Sequence, residues 1–226
     1  IMRMLGFKNF QAQINNRKLI DALLIVNGIN DVNTQKHVLR AIDKLQKVGI
    51  DNVRKELGEG RIDESGDPIK GVGLPKDIID KVVRFISITG QTRKEVLQCI
   101  KQQQEEYAEF HQAISTMEEL DEYLTALGIS DVEAIFSTSL TRGLDYYSGP
   151  VFEVTLKDAP QVGSVMGGGR YDGLVSRFTD KIIPCTGMSI GIDRLISAME
   201  ELNLIKTSKP LYDVQIARVG KVPVAE

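Results

Sequence analysis

Two cysteines in 226 residues, Cys99 and Cys185, leave no disulfide framework and no thiolate spacing of the kind that holds a metal. They fit a reducing compartment, so the chain is expected in the cytoplasm, with no metal site of its own. No apolar run approaches the roughly 20 residues that span a bilayer, and no secretory leader is visible. Charge of one sign is missing as well: 28 basic side chains stand against 31 acidic ones, a net charge of −3. Such a balance attracts neither nucleic acid nor a membrane surface globally, and any polyanion must meet a local patch. What is present is 42% hydrophobic content, enough for the core of one large domain or one and a half smaller ones.

Both ends look cut. The chain opens on Ile1 and soon enters FQAQIN, residues 10–15, where Phe10, Ala12 and Ile14 alternate with Gln11 and Gln13 as in a half-buried strand. It closes on YDVQIARVG, residues 212–220, a second alternating strand with few residues after it. A strand needs neighbours. The chain therefore reads as a piece of a larger protein.

Residues 31–128 are expected to be almost entirely helical. Val38, Leu39, Ile42, Leu45 and Val48 keep one apolar face up to Gly49, and a short helix with Ile50, Val53 and Leu57 stops at Gly58. Residues 59–73, rich in Gly and Asp, show no periodicity and predict a mobile loop. Pro75 opens a helix carrying Ile78, Ile79, Val82, Val83 and Ile86. A long helix with Val96, Leu97, Ile100, Tyr107 and Phe110 follows, and Ser115 with Glu118 form a capping-box pattern for another that ends at Gly128. From Phe136 the pattern turns to short strands, at residues 151–156, 163–166 and 185–192, and then to an amphipathic helix with Leu195, Ile196, Met199 and Leu202. Turns rather than crossover helices separate these strands, which predicts an α+β chain with an antiparallel sheet, joined by the strand at 10–15. The helical block is then an insertion, and Lys209 and Pro210 mark a linker.

Three stretches carry chemistry. In TRGLDYYSGPVFEV, residues 141–154, Gly143 and Gly149 permit backbone turns beside Arg142, Tyr146 and Tyr147. A β-turn with aromatic packing and a surface arginine accounts for the same spacing. In GSVMGGGRYDGL, residues 163–174, Gly167, Gly168 and Gly169 weaken a strand, which is best explained by a ligand or backbone approaching closely; Arg170 and Tyr171 follow at once. In GMSIGIDRL, residues 187–195, an alternating strand delivers Arg194 near the start of a helix. The planar guanidinium fork suits phosphate, so Arg194 reads as a nucleotide clamp or else as an exposed helix arginine.

Together, and in this order after a helical insertion, these stretches resemble the class II histidyl-tRNA synthetases. RGLDYY with VFE, and GGGRYDGL, are similar to that family's two histidine-binding signatures, and GMSIGIDRL to class II motif 3, with Asp193 where the motif usually has Glu. The resemblance implies an antiparallel class II synthetase sheet with an inserted helical domain. Residues 1–30 would be a catalytic-core segment, 31–130 the insertion near the tRNA acceptor arm, 131–208 the core with the histidine motifs and motif 3, and 209–226 the start of an anticodon-binding domain. It implies ligation of histidine to tRNA(His) through a histidyl-adenylate, with ATP and ATP-bound Mg²⁺, in a homodimeric full-length protein that has no membrane part. It implies Arg142 as the catalytic residue at the substrate carboxylate and α-phosphate, Tyr147 and Tyr171 at the imidazole, Gly167 and Gly168 beside the substrate, and Arg194 on the ATP phosphates. Class II motifs 1 and 2 would lie before Ile1.

For RNA the local candidate is a basic stripe, Lys36, Arg40, Lys44 and Lys47, at helical spacing opposite the apolar face. It reads equally as a solvated face partly cancelled by Asp43. A non-catalytic synthetase-like regulator that senses histidine or tRNA is the alternative to an enzyme. The intact Arg142, Tyr147, Tyr171 and Arg194 favour the enzyme.

Overall fold

The computed structural model describes residues 1–104, 106–143 and 146–205. The expected strand at 212–220, the linker at Lys209 and Pro210 and the anticodon-domain segment at 209–226 lie outside these residues. Strand β1, Phe10–Asn16, runs without a break into helix α1, Arg17–Val26. Asn16 makes the switch: its side chain accepts from the Lys18 N–H and caps the helix. Leu19, Ile20, Ala22, Leu23 and Leu24 are then buried on one side of α1. Only a strand was expected in residues 1–30, because the apolar run LIDALLIV follows the strand with no glycine or proline between them.

The helical block follows as α2 (Val32–Asp43), α3 (Leu45–Val48), α4 (Ile50–Leu57), α5 (Lys76–Ile86), α6 (Arg93–Gln104) and α7 (Ala108–Ala126). Two expectations are corrected here. Residues 59–73 are not a loop but contain a hairpin, β2 (Gly60–Ile62) with β3 (Pro68–Lys70). Asp63 closes its turn by accepting from the N–H groups of Ser65 and Asp67, the Asx chemistry that favours turns. Ser115 and Glu118 start no helix: Ser115 lies inside α7, where buried Phe110, Ala113, Ile114 and Met117 carry one apolar face straight past it. The actual break falls between Gln104 and Ala108, where the periodicity suggested continuity.

The sheet is five-stranded, in the order β4-β1-β5-β6-β7, with β4 at Ala134–Phe136, β5 at Pro150–Leu156, β6 at Ser164–Tyr171 and β7 at Cys185–Ile190. The pairs β1·β5, β5·β6 and β6·β7 are antiparallel, as the turns required. Strand β4 joins parallel to β1, because the whole helical block acts as the crossover between them. Helix α8, Ile192–Glu201, buries Leu195 and Ala198. Among the described residues no helix is long and apolar enough to cross a membrane.

One buried arginine fastens block to sheet. Arg93, 3% exposed, donates from Nε to Asp121 of α7 at 2.6 Å, from Nη1 to the Ala134 carbonyl of β4 at 2.9 Å, and from Nη2 to the Ile129 carbonyl at 3.2 Å. Ile14 of β1 and Phe136 of β4 belong to the same buried cluster as the helices. Helices α6 and α7 are thereby held to β4 and β1.

Candidate active site

Strand registers place one row of residues across the sheet: Gln13 beside Glu153, Glu153 beside Gly167, and Gly167 beside Ser189. Their side-chain positions share one face, since alternate residues of a strand point the same way. Arg142 arrives from the segment after β4 and lies on this row. Its Nε donates to Glu153 Oε2 at 2.7 Å, and a Cβ on Gly167 would stand 2.7 Å from its Nη1. Any residue but glycine at 167 would push the guanidinium off the sheet. With Nε spent on the carboxylate, the Nη groups are the ones that can bind an anion as a fork.

The next row holds Gly169 beside Gly187, and two phenol rings use the space. Tyr147 packs over Gly169, where a Cβ would stand 3.0 Å from its Cδ1, while a Cβ on Gly187 would stand 2.7 Å from the Tyr171 hydroxyl. Gly143, at φ +67°, makes the turn that folds the Tyr147 ring back over it. Tyr146 completes the group, with its ring centroid 4.3 Å from Tyr147 and 6.4 Å, edge-on, from Tyr171. Burial pushes the Tyr147 hydroxyl up to about 12, helped by its hydrogen bond with Tyr146. Tyr147 is therefore a phenol, able to donate, across the neutral range. The segment is pinned from β6: Ser148 Oγ donates to Asp172 at 2.7 Å, and the Asp172 N–H donates back at 3.0 Å. That hydroxyl, with Arg170 second, holds the Asp172 carboxyl below its usual range.

A cavity of about 440 Å³ opens over this surface, lined by Arg142, Tyr146, Tyr147, Glu153, Gly167 and Ser189, and on its other wall by Asp43 and Gln46. Gln46 bridges to the sheet, donating to Gln13 Oε1 at 3.3 Å. A larger groove, about 830 Å³, lies on the opposite face among Phe10, Ala12, Phe152, Val154 and Met166. The smaller cavity is the one where polar groups converge, as a recognition site requires.

Of the residues singled out in the sequence, Arg142, Tyr147 and Gly167 come together in the cavity, and Tyr171 stands at its edge through Tyr146. Gly168 does not join them. It alternates to the other face, where a side chain would collide with the backbone of Gly187 and Met188. Arg194 is exposed in the first turn of α8, donating from Nη1 to the Ser164 carbonyl at 2.6 Å, and does not line the cavity. Ser164 and Gly167 are three residues apart on β6, about 10 Å along a strand. The basic stripe is divided: Lys36 and Arg40 are on α2, Lys47 is on α3, and Lys44 is tied at 2.9 Å to Glu56, a buried carboxylate that Arg61 also holds.

Glu153, Ser189, Asp43 and Gln46 were not anticipated. A usable signal existed for Glu153, the one charge in the apolar alternation PVFEVTL. None existed for Asp43 and Gln46, which reach the site only through the packing of the helical block. For ATP the described residues offer the cations Arg142 and Arg194. Among those residues no group of three or more His, Cys, Asp or Glu is placed to hold a metal.

The model of the histidyl-tRNA synthetase family matches residues 2–195. The histidine–tRNA ligase of Caulobacter vibrioides is 42% identical over 83% of this chain and 40% of its own length. That of Bartonella quintana is 38% identical over 98% of this chain and 47% of its own. Among solved structures, a histidyl-tRNA synthetase from Nostoc sp. PCC 7120 superposes with a TM-score of 0.77 at 29% identity, over 91% of this chain and 45% of that one. The chain thus spans less than half the length of these relatives. A Bacillus halodurans protein described as an ATP phosphoribosyltransferase regulatory subunit/histidyl-tRNA synthetase shares the fold at a TM-score of 0.65 and 22% identity. Sheet, helical block and relatives together define the class II aminoacyl-tRNA synthetase fold. Within that class, the chain belongs to the histidyl-tRNA synthetase family.

Proposed function

We propose that the protein carrying this chain is a histidine–tRNA ligase and that this chain supplies its histidine pocket. The histidine carboxylate attacks the α-phosphorus of ATP, pyrophosphate leaves, and the histidyl-adenylate is then attacked by a ribose hydroxyl of tRNA(His), releasing AMP. Charge builds on the α-phosphate oxygens in the first step, and a fixed guanidinium stabilises it without reorganisation. Arg142 is suited to that task, and the observation that carries the reading is its placement over Gly167 with Glu153 holding Nε. In this reading Tyr147 and Tyr171 hydrogen-bond the imidazole nitrogens, and Arg194 receives the outer phosphates. Bound Mg²⁺ would neutralise phosphate charge.

In this reading the full-length enzyme is a cytoplasmic homodimer. The same reading divides the chain into a core at 1–30 and 131–208, an insertion at 31–130 and a C-terminal segment at 209–226, the last outside the described residues. An enzyme is favoured over a histidine or tRNA sensor, since a sensor need not retain guanidinium groups for phosphate such as Arg142 and Arg194.

The test is histidine-dependent ATP–pyrophosphate exchange in a protein of the relatives' full length. Arg142→Lys, which loses the planar fork, is expected to lower kcat about 100-fold while histidine affinity changes far less. Equal exchange by variant and parent would remove Arg142 from the chemistry. For the RNA, Lys44 is already engaged with Glu56, so Arg40 and Lys47 are the stripe members to test. Replacing Arg40 and Lys47 by Glu is expected to weaken tRNA binding and flatten its salt dependence while leaving exchange alone. An unchanged salt slope would return the stripe to a solvated face.

A further inference from the structure

The segment that delivers Arg142 leaves β4 at Phe136 and crosses residues 137–141 with no strand or helix of its own. Its start is tied by the Ser137 N–H to the Ile14 carbonyl at 2.8 Å, and by Thr138 Oγ1 to the Phe85 carbonyl of α5 at 2.8 Å. Its end depends on one side chain. Asn15, next to last in β1 and 1% exposed, donates from Nδ2 to the Leu140 carbonyl at 2.9 Å and to the Thr138 carbonyl at 3.3 Å. Its Oδ1 accepts from the Asn16 N–H at 2.8 Å. Thr141 follows with a buried hydroxyl that has no partner among the described residues. Asn15 therefore makes the last side-chain hydrogen bond to this segment before Arg142's own ion pair with Glu153.

We propose that Asn15 is a positioning residue for Arg142: its amide fixes the Leu140 carbonyl, two residues upstream, and so sets where the guanidinium meets the sheet. The inference rests on the catalytic reading of Arg142. Asn15 does not line the cavity, so it acts only through the segment it holds. The chemistry admits few substitutes. The task needs two N–H donors aimed at two carbonyls and one acceptor for a backbone N–H, all in a neutral group, which is a primary amide. Asp has nearly the same shape but would set its oxygens against carbonyl oxygens in a buried place, where unmatched polar groups are costly. A displacement of about 1 Å in a charge-stabilising group is enough to cost about 100-fold in rate.

The experiment is a double-mutant cycle in the full-length protein, read by pyrophosphate exchange and by melting temperature. Asn15→Asp, or Asn15→Ser where Asn15→Asp does not fold, is expected to lower kcat about tenfold or more in the folded fraction. In the Arg142→Lys background the same substitution is expected to change kcat less than about twofold, because the group it positions is already gone. A merely structural Asn15 would lower the melting temperature and the active fraction by the same factor in both backgrounds, and equal kcat losses in the two would overturn the proposal. An Arg142→Lys protein that exchanges at the parent rate would overturn the reading of Arg142 itself, an outcome distinct from additive losses.

Discussion

Gly167 shows how much a missing side chain does. It is one of three glycines in a row, yet each meets something different. Gly167 admits Arg142, Gly168 admits the neighbouring backbone of β7, and Gly169 admits the Tyr147 ring and the Pro150 carbonyl. A methyl group at 167 would sit 2.7 Å from Arg142 Nη1 and 3.3 Å from the Phe152 carbonyl oxygen, so the guanidinium must lift off. Gly167→Ala is expected to cost roughly 10- to 100-fold in pyrophosphate exchange while the fold persists. Gly173→Ala, whose Cβ meets nothing within 4 Å, is the matched control and should exchange normally. If Gly167→Ala exchanged like the control, the seat of Arg142 on the sheet would have no part in the rate. The run GGG announces a close approach, since strands rarely forgo side chains without cause. It cannot say which glycine meets a ligand-binding group, because that depends on strand alternation and a run of identical residues carries no phase. Gly168 alternates to the face away from the cavity, while Gly167 lines it.

At the scale of elements, the long periodic segments were legible and the short ones were not. Helices α4 and α5 follow their apolar spacing and their Gly and Pro boundaries closely, whereas the helix expected to run through Val48 to Gly49 is broken at Lys44 into α2 and α3. The three-residue strands β2, β3 and β4 are too short to show an alternation at all. The parallel β4 also depends on where the helical block returns the chain, which no local pattern encodes. Arg93 illustrates the same limit: in the sequence it is a basic residue opening a helix, and in the fold it is the joint between α6, α7 and β4. Removing it leaves Asp121, 6% exposed, without its counter-charge, a change that costs about 3–5 kcal/mol in buried pairs. Arg93→Ala is accordingly expected to lower the melting temperature by roughly 6–20 °C for a chain of this size, measured by calorimetry or circular dichroism. A shift below about 2 °C would mean that block and sheet are held by apolar packing alone.

At the scale of the whole molecule, the helical block is part of the site rather than an appendage to it. Asp43 and Gln46 close the cavity opposite Glu153, Gly167 and Ser189, and the same α2–α3 turn carries part of the basic stripe. The polar face of the sheet, with Arg142 and its aromatic neighbours, was largely legible as three motifs. The far wall was not, because it is made by packing between residues far apart in the chain. Everything proposed for the enzyme depends on one claim, that these 226 residues hold a histidine between Arg142 and the tyrosines. Isothermal titration calorimetry of the chain with L-histidine addresses it directly. One histidine per chain is the expected result, with affinity falling at least about tenfold in both Tyr147→Phe and Tyr171→Phe, since a pocket built on hydrogen bonds discriminates by them. A folded chain that binds no histidine, or binds it equally well after both phenol groups are removed, would contradict the account.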